Sequence, residues 1–278
     1  MKKINTYLII FSILTLFFLY GSYIYPHSAT LPSGLSLEAP NINHIFGTDN
    51  LGIDIYAQIS SGFFRSMAIG IVTAIFATII GGLLGILSGY IGGTIDHITL
   101  FLINIFLSVP QLPVMIVIGA FFGQSTLNII FIIAAFSWAQ IAKQLRAKVI
   151  SIKNMEYVKL AESYGGSPLY IIMRHLSREL IPLLMINGLA VIGRAIIQES
   201  SLAYLGLSDP IAKSWGLMIS KATAFSGIYF SEFWKWWLMP PILALILSVL
   251  TLRLLSRALE QYMLKENHTE MSDSLRRE

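Results

Sequence analysis

Hydrophobic runs separated by short polar stretches fill most of this chain. A helix needs about 20 residues to cross roughly 30 Å of hydrocarbon. By that measure the pattern predicts six crossings, at residues 7–25, 66–90, 98–122, 127–141 (extending to about 145), 181–205 and 236–255. The first follows Met1-Lys2-Lys3 and resembles a signal peptide. Its length and the lack of a clean small-x-small cleavage site favour an uncleaved first span. Between the first two crossings, residues 26–65 are polar and turn-rich, with residues 55–64 expected as a short interfacial helix. The tail to Glu278 is polar, with a frayed end expected.

One long stretch, residues 151–182, is helical in pattern yet too polar to cross. It carries Lys153, Glu156, Lys159, Glu162, Arg174, Arg178 and Glu179. Tyr157, Leu160, Ala161 and Tyr164 fall at i, i+3, i+4 and i+7, which makes one apolar face. Gly165-Gly166 then stops the helix, because glycine accepts left-handed geometry without a Cβ clash. Ser167 is a good N-cap, and Pro168 suits the first helical position. Leu169, Ile172, Met173 and Leu176 repeat the stripe. Such a hairpin is either a docking element or an amphipathic loop on the bilayer.

Within the crossings, two overlapping rows of small residues, Gly81/Gly85/Gly89 and Gly70/Ala74/Thr78/Gly82, favour close helix packing over simple glycine enrichment. Pro110-Gln111-Leu112-Pro113 should kink or partly unwind the third crossing. Gln111 is then either pathway-lining or bonded to a neighbouring helix. The fifth crossing holds Arg194, Gln198 and Glu199, and ionisable groups at such depth often mark a pathway. An internal ion pair, or a place for Glu199 near the surface, is the alternative. The cluster Phe233, Trp234, Trp236 and Trp237 reads as an interfacial belt.

Composition agrees. The chain is 55% hydrophobic and 12% charged, about half the charged share of a soluble domain, so it is an integral membrane protein. The net charge of +4 is explained by location and not by nucleic-acid binding. With the N-terminus in the cytoplasm, that side holds Lys2, Lys3, Lys143, Arg146, Lys148, Lys153, Lys159, Arg174, Arg178, Arg253, Arg257, Lys265, Arg276 and Arg277. The outer side holds only Arg65, Lys213, Lys221 and Lys235. This bias follows the positive-inside rule, with both termini and the hairpin cytoplasmic. The chain has no cysteine. It contains no P-loop run, so ATP is not expected to bind here through one, and no H-E-x-x-H or G-x-S-x-G. His27, His44, His97, His175 and His268 show no metal-ligand spacing. No catalytic residue, metal or cofactor is expected in the chain itself.

Three blocks carry a family resemblance. HIFGTDNLGID (residues 44–54) is similar to H-x-x-G-T-D-x-x-G-R-D. YVKLAESYGGSPLYIIMRH (residues 157–175) is similar to the cytoplasmic "EAA" loop, with Gly165 at the loop's glycine. ESSLAYLGL and SWGLM (within residues 199–218) are similar to E-A-S-L-S-F-L-G-L and S-W-G-x-M. In this order, among six crossings, they identify the chain as resembling a permease subunit of the dipeptide/oligopeptide/nickel class of ATP-binding-cassette importers. There are departures: Ile53 replaces the family's arginine, Lys159-Leu160-Ala161 stands for the EAA triplet, and Ser177-Arg178 stands for leucine–proline, while Pro182 is retained.

The resemblance implies an all-α integral membrane protein with six transmembrane helices and a cytoplasmic coupling hairpin, the type I importer permease fold. It implies organisation into a first helix and outer segment (1–65), a permease domain (66–260) and a cytoplasmic tail (261–278). Tyr157, Lys159, Leu160, Ala161, Tyr164, Gly165 and Pro168 would contact cytoplasmic ATPase subunits, which hold the ATP and Mg. A second permease, an extracytoplasmic solute-binding protein and membrane lipid are the other partners implied. Peptide is the first choice of substrate, ahead of nickel or a metal–chelator complex. Gln111, Arg194, Gln198 and Glu199 are the candidate path residues. A secondary transporter driven by an ion gradient would explain Arg194 and Glu199 equally well, but gives no reason for the hairpin and should show an inverted repeat, which is not apparent.

Overall fold

The structure, a computed structural model, describes residues 2–275 apart from residue 212. Arg276 and Arg277 of the charge argument lie outside the described residues, as do the side chains of Lys2 and Lys265. All regular structure among the described residues is helical, apart from one isolated antiparallel bridge between Thr48 and Asp54. The helices are α1 (Lys2–Leu19), α2 (Ile55–Ile91), α3 (Gly93–Ser108), α4 (Gln111–Phe122), α5 (Thr126–Lys153), α6 (Glu156–Ser163), α7 (Pro168–Ile171), α8 (Ser177–Tyr204), α9 (Trp215–Ala224) and α10 (Met239–Leu275). π-Helical turns continue α1 to Ile24, join α7 to α8, and lead into α10 from Trp234.

Five helical stretches are long and apolar enough to cross a membrane: Lys3–Ile24, Ile55–Ile91, Thr126–Lys153, Pro168–Tyr204 and Trp234–Met263. The bent pair α3–α4 makes a sixth when counted as one crossing. The region expected as a single kinked helix at 98–122 turns by 91° between these two helices. The break has a local cause. Pro110 is the extended N-cap residue of α4, and Pro113 lies in its first turn, where a missing N–H costs nothing. Pro113 therefore does not unwind the helix. At 1.5 Å per residue α3 is about 24 Å long and α4 about 18 Å, so neither crosses alone.

Three other expectations are corrected. Residues 55–64 are not a separate interfacial helix; they are the first turns of α2, because Ile55, Tyr56, Ile59 and Phe63 are buried. The fifth crossing does not begin at 181 but is continuous from Pro168, so the second half of the hairpin and the crossing are one rod. The aromatic belt is also only partial: Trp234 is exposed, whereas Trp237 is buried with Trp215, Phe18 and Phe63 in the core.

α2 is the centre of the bundle, and its two small-residue rows face two different helices. A Cβ at Gly81, Gly85 or Gly89 would lie 2.6, 2.7 or 2.9 Å from the carbonyl oxygens of Trp138, Ala142 and Arg146 on α5. Backbone meets backbone along this seam, and any side chain would prise it open. The second row faces α8. A Cβ at Gly70 would lie 3.0 Å from Ile192, one at Gly82 3.1 Å from Leu184, and one at Gly188 3.3 Å from Thr78.

The segment before α2 folds on itself. Asp54 caps α2 by accepting from the Ala57 N–H at 2.8 Å, and its other oxygen is 2.8 Å from His44 Nδ1 and 3.1 Å from the Tyr25 hydroxyl. Asp49 accepts from the Leu51 and Ile53 N–H groups and from Gln58. Thr48 accepts from the Glu38 N–H and donates to the Leu35 carbonyl. The HIFGTDNLGID block therefore spends its polar side chains on its own loop and on the start of α2. Ile53, where the family pattern has arginine, is buried in this loop.

Candidate functional site

The hairpin is built as its sequence dictates. α6 ends in a Schellman motif: the Gly166 N–H reaches the Ala161 carbonyl and the Gly165 N–H that of Glu162, both at 3.0 Å, with Gly165 at φ +85°. Ser167 caps α7 by accepting from the Tyr170 N–H at 3.3 Å, and Pro168 follows in the first turn.

The two apolar stripes pack inward only in part, at Leu176 and, less fully, at Ile172 of the second. Val158, Ile171 and Leu176 are the buried anchors, joined to Leu145, Val149 and Ile152 of α5. Tyr157, Leu160 and Tyr164 are exposed, with Leu160 at 56% and Tyr164 at 88%, and Ala161 is half-buried beside them. On the second limb Leu169 is 71% and Met173 67% exposed. Lys159, Gly165 and Pro168 are exposed around this surface. Partial burial, and Glu179 after it, push the Tyr157 phenol above its ordinary pKa, so it stays neutral.

Side chains not singled out by the sequence fasten the hairpin to the bundle. The Tyr90 hydroxyl, at the end of α2, donates to Glu162 at 3.1 Å. Lys153 donates to the Tyr90 carbonyl at 2.7 Å and lies over the Tyr90 ring. Lys148 of α5 pairs with Glu179 at the start of α8. Arg146 holds Asp96 at the start of α3 through a two-pronged contact, the longer at 2.6 Å. Glu162 and Glu179 were legible only as charges, because partners more than 30 residues away leave no local spacing.

Of the four candidate path residues, the structure groups three. Gln198 donates to Gln111 Oε1 at 3.2 Å, which joins α8 to the α3–α4 break. Arg194 lies one turn before Gln198 on the same helical face, exposed, and ten residues short of the end of α8. That is about 15 Å along the axis, half the thickness of a hydrocarbon core. A cation there costs about 3 kcal/mol on insertion scales unless a partner or water receives it. Glu199 points the other way and is fully buried, with the Ser200 hydroxyl at 3.4 Å.

The histidines are less scattered than their spacing implied. His27 and His44 stack with ring centroids 4.6 Å apart, and with Asp54 they place one donor atom each within 4.8 Å of the others. Their atoms are already engaged, His44 with Asp54 and His27 with the Asn43 carbonyl at 2.9 Å. Tyr25 also reaches Asn43 O at 2.8 Å, and burial pushes its pKa up to about 12, which keeps it a donor.

Residues 81–265 match the family described as the binding-protein-dependent transport system inner membrane component. The match begins at the close-packed row of α2 and covers the hairpin, the break and α8. This chain belongs to that family. A "Probable D,D-dipeptide transport system permease protein" of Escherichia coli (strain K12) is 32% identical over 195 residues, 68% of this chain and 65% of that protein. The dipeptide transport system permease protein of Bacillus subtilis (strain 168) is 31% identical over 222 residues, 78% of this chain and 67% of the relative. The glutathione transport system permease protein of Pectobacterium atrosepticum is 30% identical over 225 residues, 80% and 72% respectively. The chain thus matches slightly under two thirds of the first relative and somewhat more of the others. As a family member it is a membrane transport component, and its helices make it a multi-pass protein.

Proposed function

We propose that this chain is the permease subunit of an importer that moves peptides across the cell membrane, driven by ATP hydrolysed in a separate chain. The observation that carries this reading is the hairpin. Leu160, Tyr164, Leu169 and Met173 form an exposed apolar surface on a charged element whose underside is anchored by Val158, Ile171 and Leu176. Exposed apolar surface on a polar, well-anchored element is the form of an interface. It takes a cytoplasmic ATPase subunit, contacted by Tyr157, Lys159, Leu160, Ala161, Tyr164, Gly165 and Pro168.

The charge bias supports a cytoplasmic position for the hairpin and both termini. On the opposite side, the folded segment before α2 faces an extracytoplasmic binding protein. The path runs along Gln111, Gln198 and Arg194, against a second permease subunit. Glu199, buried behind this face, supports the path from within. Peptide is favoured as the cargo because the relatives' names refer to dipeptide, D,D-dipeptide and glutathione transport.

The test is gentle detergent purification of the tagged chain from its own host, with mass spectrometry of what accompanies it. Recovery of a P-loop ATPase and a second six-span permease is expected. Recovery of the chain alone, with uptake that collapses with the ion gradient and not with ATP, would overturn the reading.

A further inference from the structure

We propose that Arg194 binds the carboxylate at the C-terminus of the peptide in transit; the proposal rests on the reading of a peptide path along α8. Among the described residues Arg194 has no hydrogen-bond or ion-pair partner, although it lies ten residues inside the end of a crossing helix and is exposed on the α8 face. A guanidinium cannot shed its charge and carries donors in a planar fork that matches a carboxylate. It therefore needs an anion or water opposite it.

The start of α4 favours an anion near Arg194, while the Gln198 oxygen calls for a donor. Gln198, one turn on, has its amide nitrogen fixed on Gln111, and its own carbonyl oxygen is buried without a partner. Ser201 continues the same face at i+7 from Arg194. The start of α4 meets this face at Gln111, and its N-cap residue is Pro110, whose side chain offers no cap. The unpaired N–H groups there add positive potential of the same sign as Arg194. Ser200 and Glu199, the nearest acidic group in sequence, lie on the buried side of α8. A peptide carries one terminal carboxylate whatever its side chains, so a single fixed cation can read a whole class of cargo.

The experiment uses the full complex, with its partner permease, ATPases and saturating loaded binding protein, in proteoliposomes. Single-turnover uptake of a peptide with a free C-terminus is compared with that of the same peptide as its C-terminal amide. Wild type is expected to favour the acid by about tenfold, the scale of one charge-assisted pair. R194Q should bring the acid down about tenfold, to the rate of the amide, whereas R194K should keep a preference for the acid. If R194Q slows both peptides alike, or lowers the yield of assembled complex, Arg194 pairs with a protein carboxylate and the proposal is overturned. The path itself is tested separately by S201C, since this chain has no cysteine of its own. Labelling by a water-soluble thiol reagent that peptide blocks supports the path, and no labelling in any nucleotide state removes it. Labelling without an acid preference removes only the carboxylate.

Discussion

The segment 25–54 and the hairpin 156–176 are both short, polar and attached to opposite ends of α2, yet they use their side chains differently. The first turns inward: Asp54, Asp49, Thr48, His44 and Tyr25 bond to one another, to the loop backbone or to the start of α2. The second keeps a thin buried underside and holds out Leu160, Tyr164, Leu169 and Met173. A loop that satisfies its own groups is complete alone. A loop that anchors Val158, Ile171 and Leu176 while holding out apolar and aromatic side chains leaves a surface that its own chain does not cover. The contrast separates family motifs that preserve a fold from those that present a surface.

Five substitutions would break or sharpen this contrast. The largest effect is expected from D54A. It removes the α2 cap, leaves the buried His44 ring without its carboxylate and takes one of two acceptors from the Tyr25 hydroxyl, costing about 3 kcal/mol. Thermal unfolding of the purified chain would show it, and an unchanged midpoint would mean that the segment does not stabilise the fold. Next, V158D places an unpaired charge under the hairpin, with a loss of about 2–3 kcal/mol. By comparison, L160D, two residues away, should alter stability by only about 0.5 kcal/mol yet abolish co-purification of the ATPase. Equal destabilisation by both would refute the division into anchor and surface.

G165E is expected to cut peptide uptake by roughly tenfold or more, equivalent to about 1.4 kcal/mol of lost coupling, with the protein still inserted. A Cβ at Gly165 meets nothing within 4 Å, although its left-handed backbone adds strain of about 1–2 kcal/mol. Full uptake by G165E would sink the docking assignment. The smallest effect is expected from E162Q, which weakens the Tyr90 contact by about 1 kcal/mol or less because Glu162 is exposed. It should change the ATP used per peptide more than it changes stability, and an unchanged ratio would show that this contact does not transmit.

Much of the hairpin could be read from sequence because its determinants are local: Gly165 for the left-handed stop, Ser167 for the cap, Pro168 for the first turn. The crossings were legible from hydropathy, and the glycine rows from their spacing. What escaped depended on partners distant in sequence. Periodicity showed an apolar stripe through Tyr157, Leu160 and Tyr164, but not that Val158 would be the residue turned toward α5. A proline pair signalled a bend at 110–113 without its size, since 91° is set by where α4 can lie against α5 and α8. The meeting of His27, His44 and Asp54 had no signature, because a turn-rich loop carries no period from which to infer contact. Arg194, Gln198 and Glu199 looked equivalent on paper. Only the helix rotation puts Gln198 beside Gln111 and turns Glu199 inward.

The continuity of α7 and α8 has a mechanical consequence. From Pro168 to Tyr204 the chain is one helical lever of about 55 Å, with no loop to absorb a displacement between the surface at Leu169 and the cation at Arg194. Two softer points lie along it, the π-helical turn at Ile172–Leu176 and Pro182. A push on the hairpin therefore tilts or rotates Arg194 in the same stroke, and the compliance of those two points sets how much of the stroke arrives.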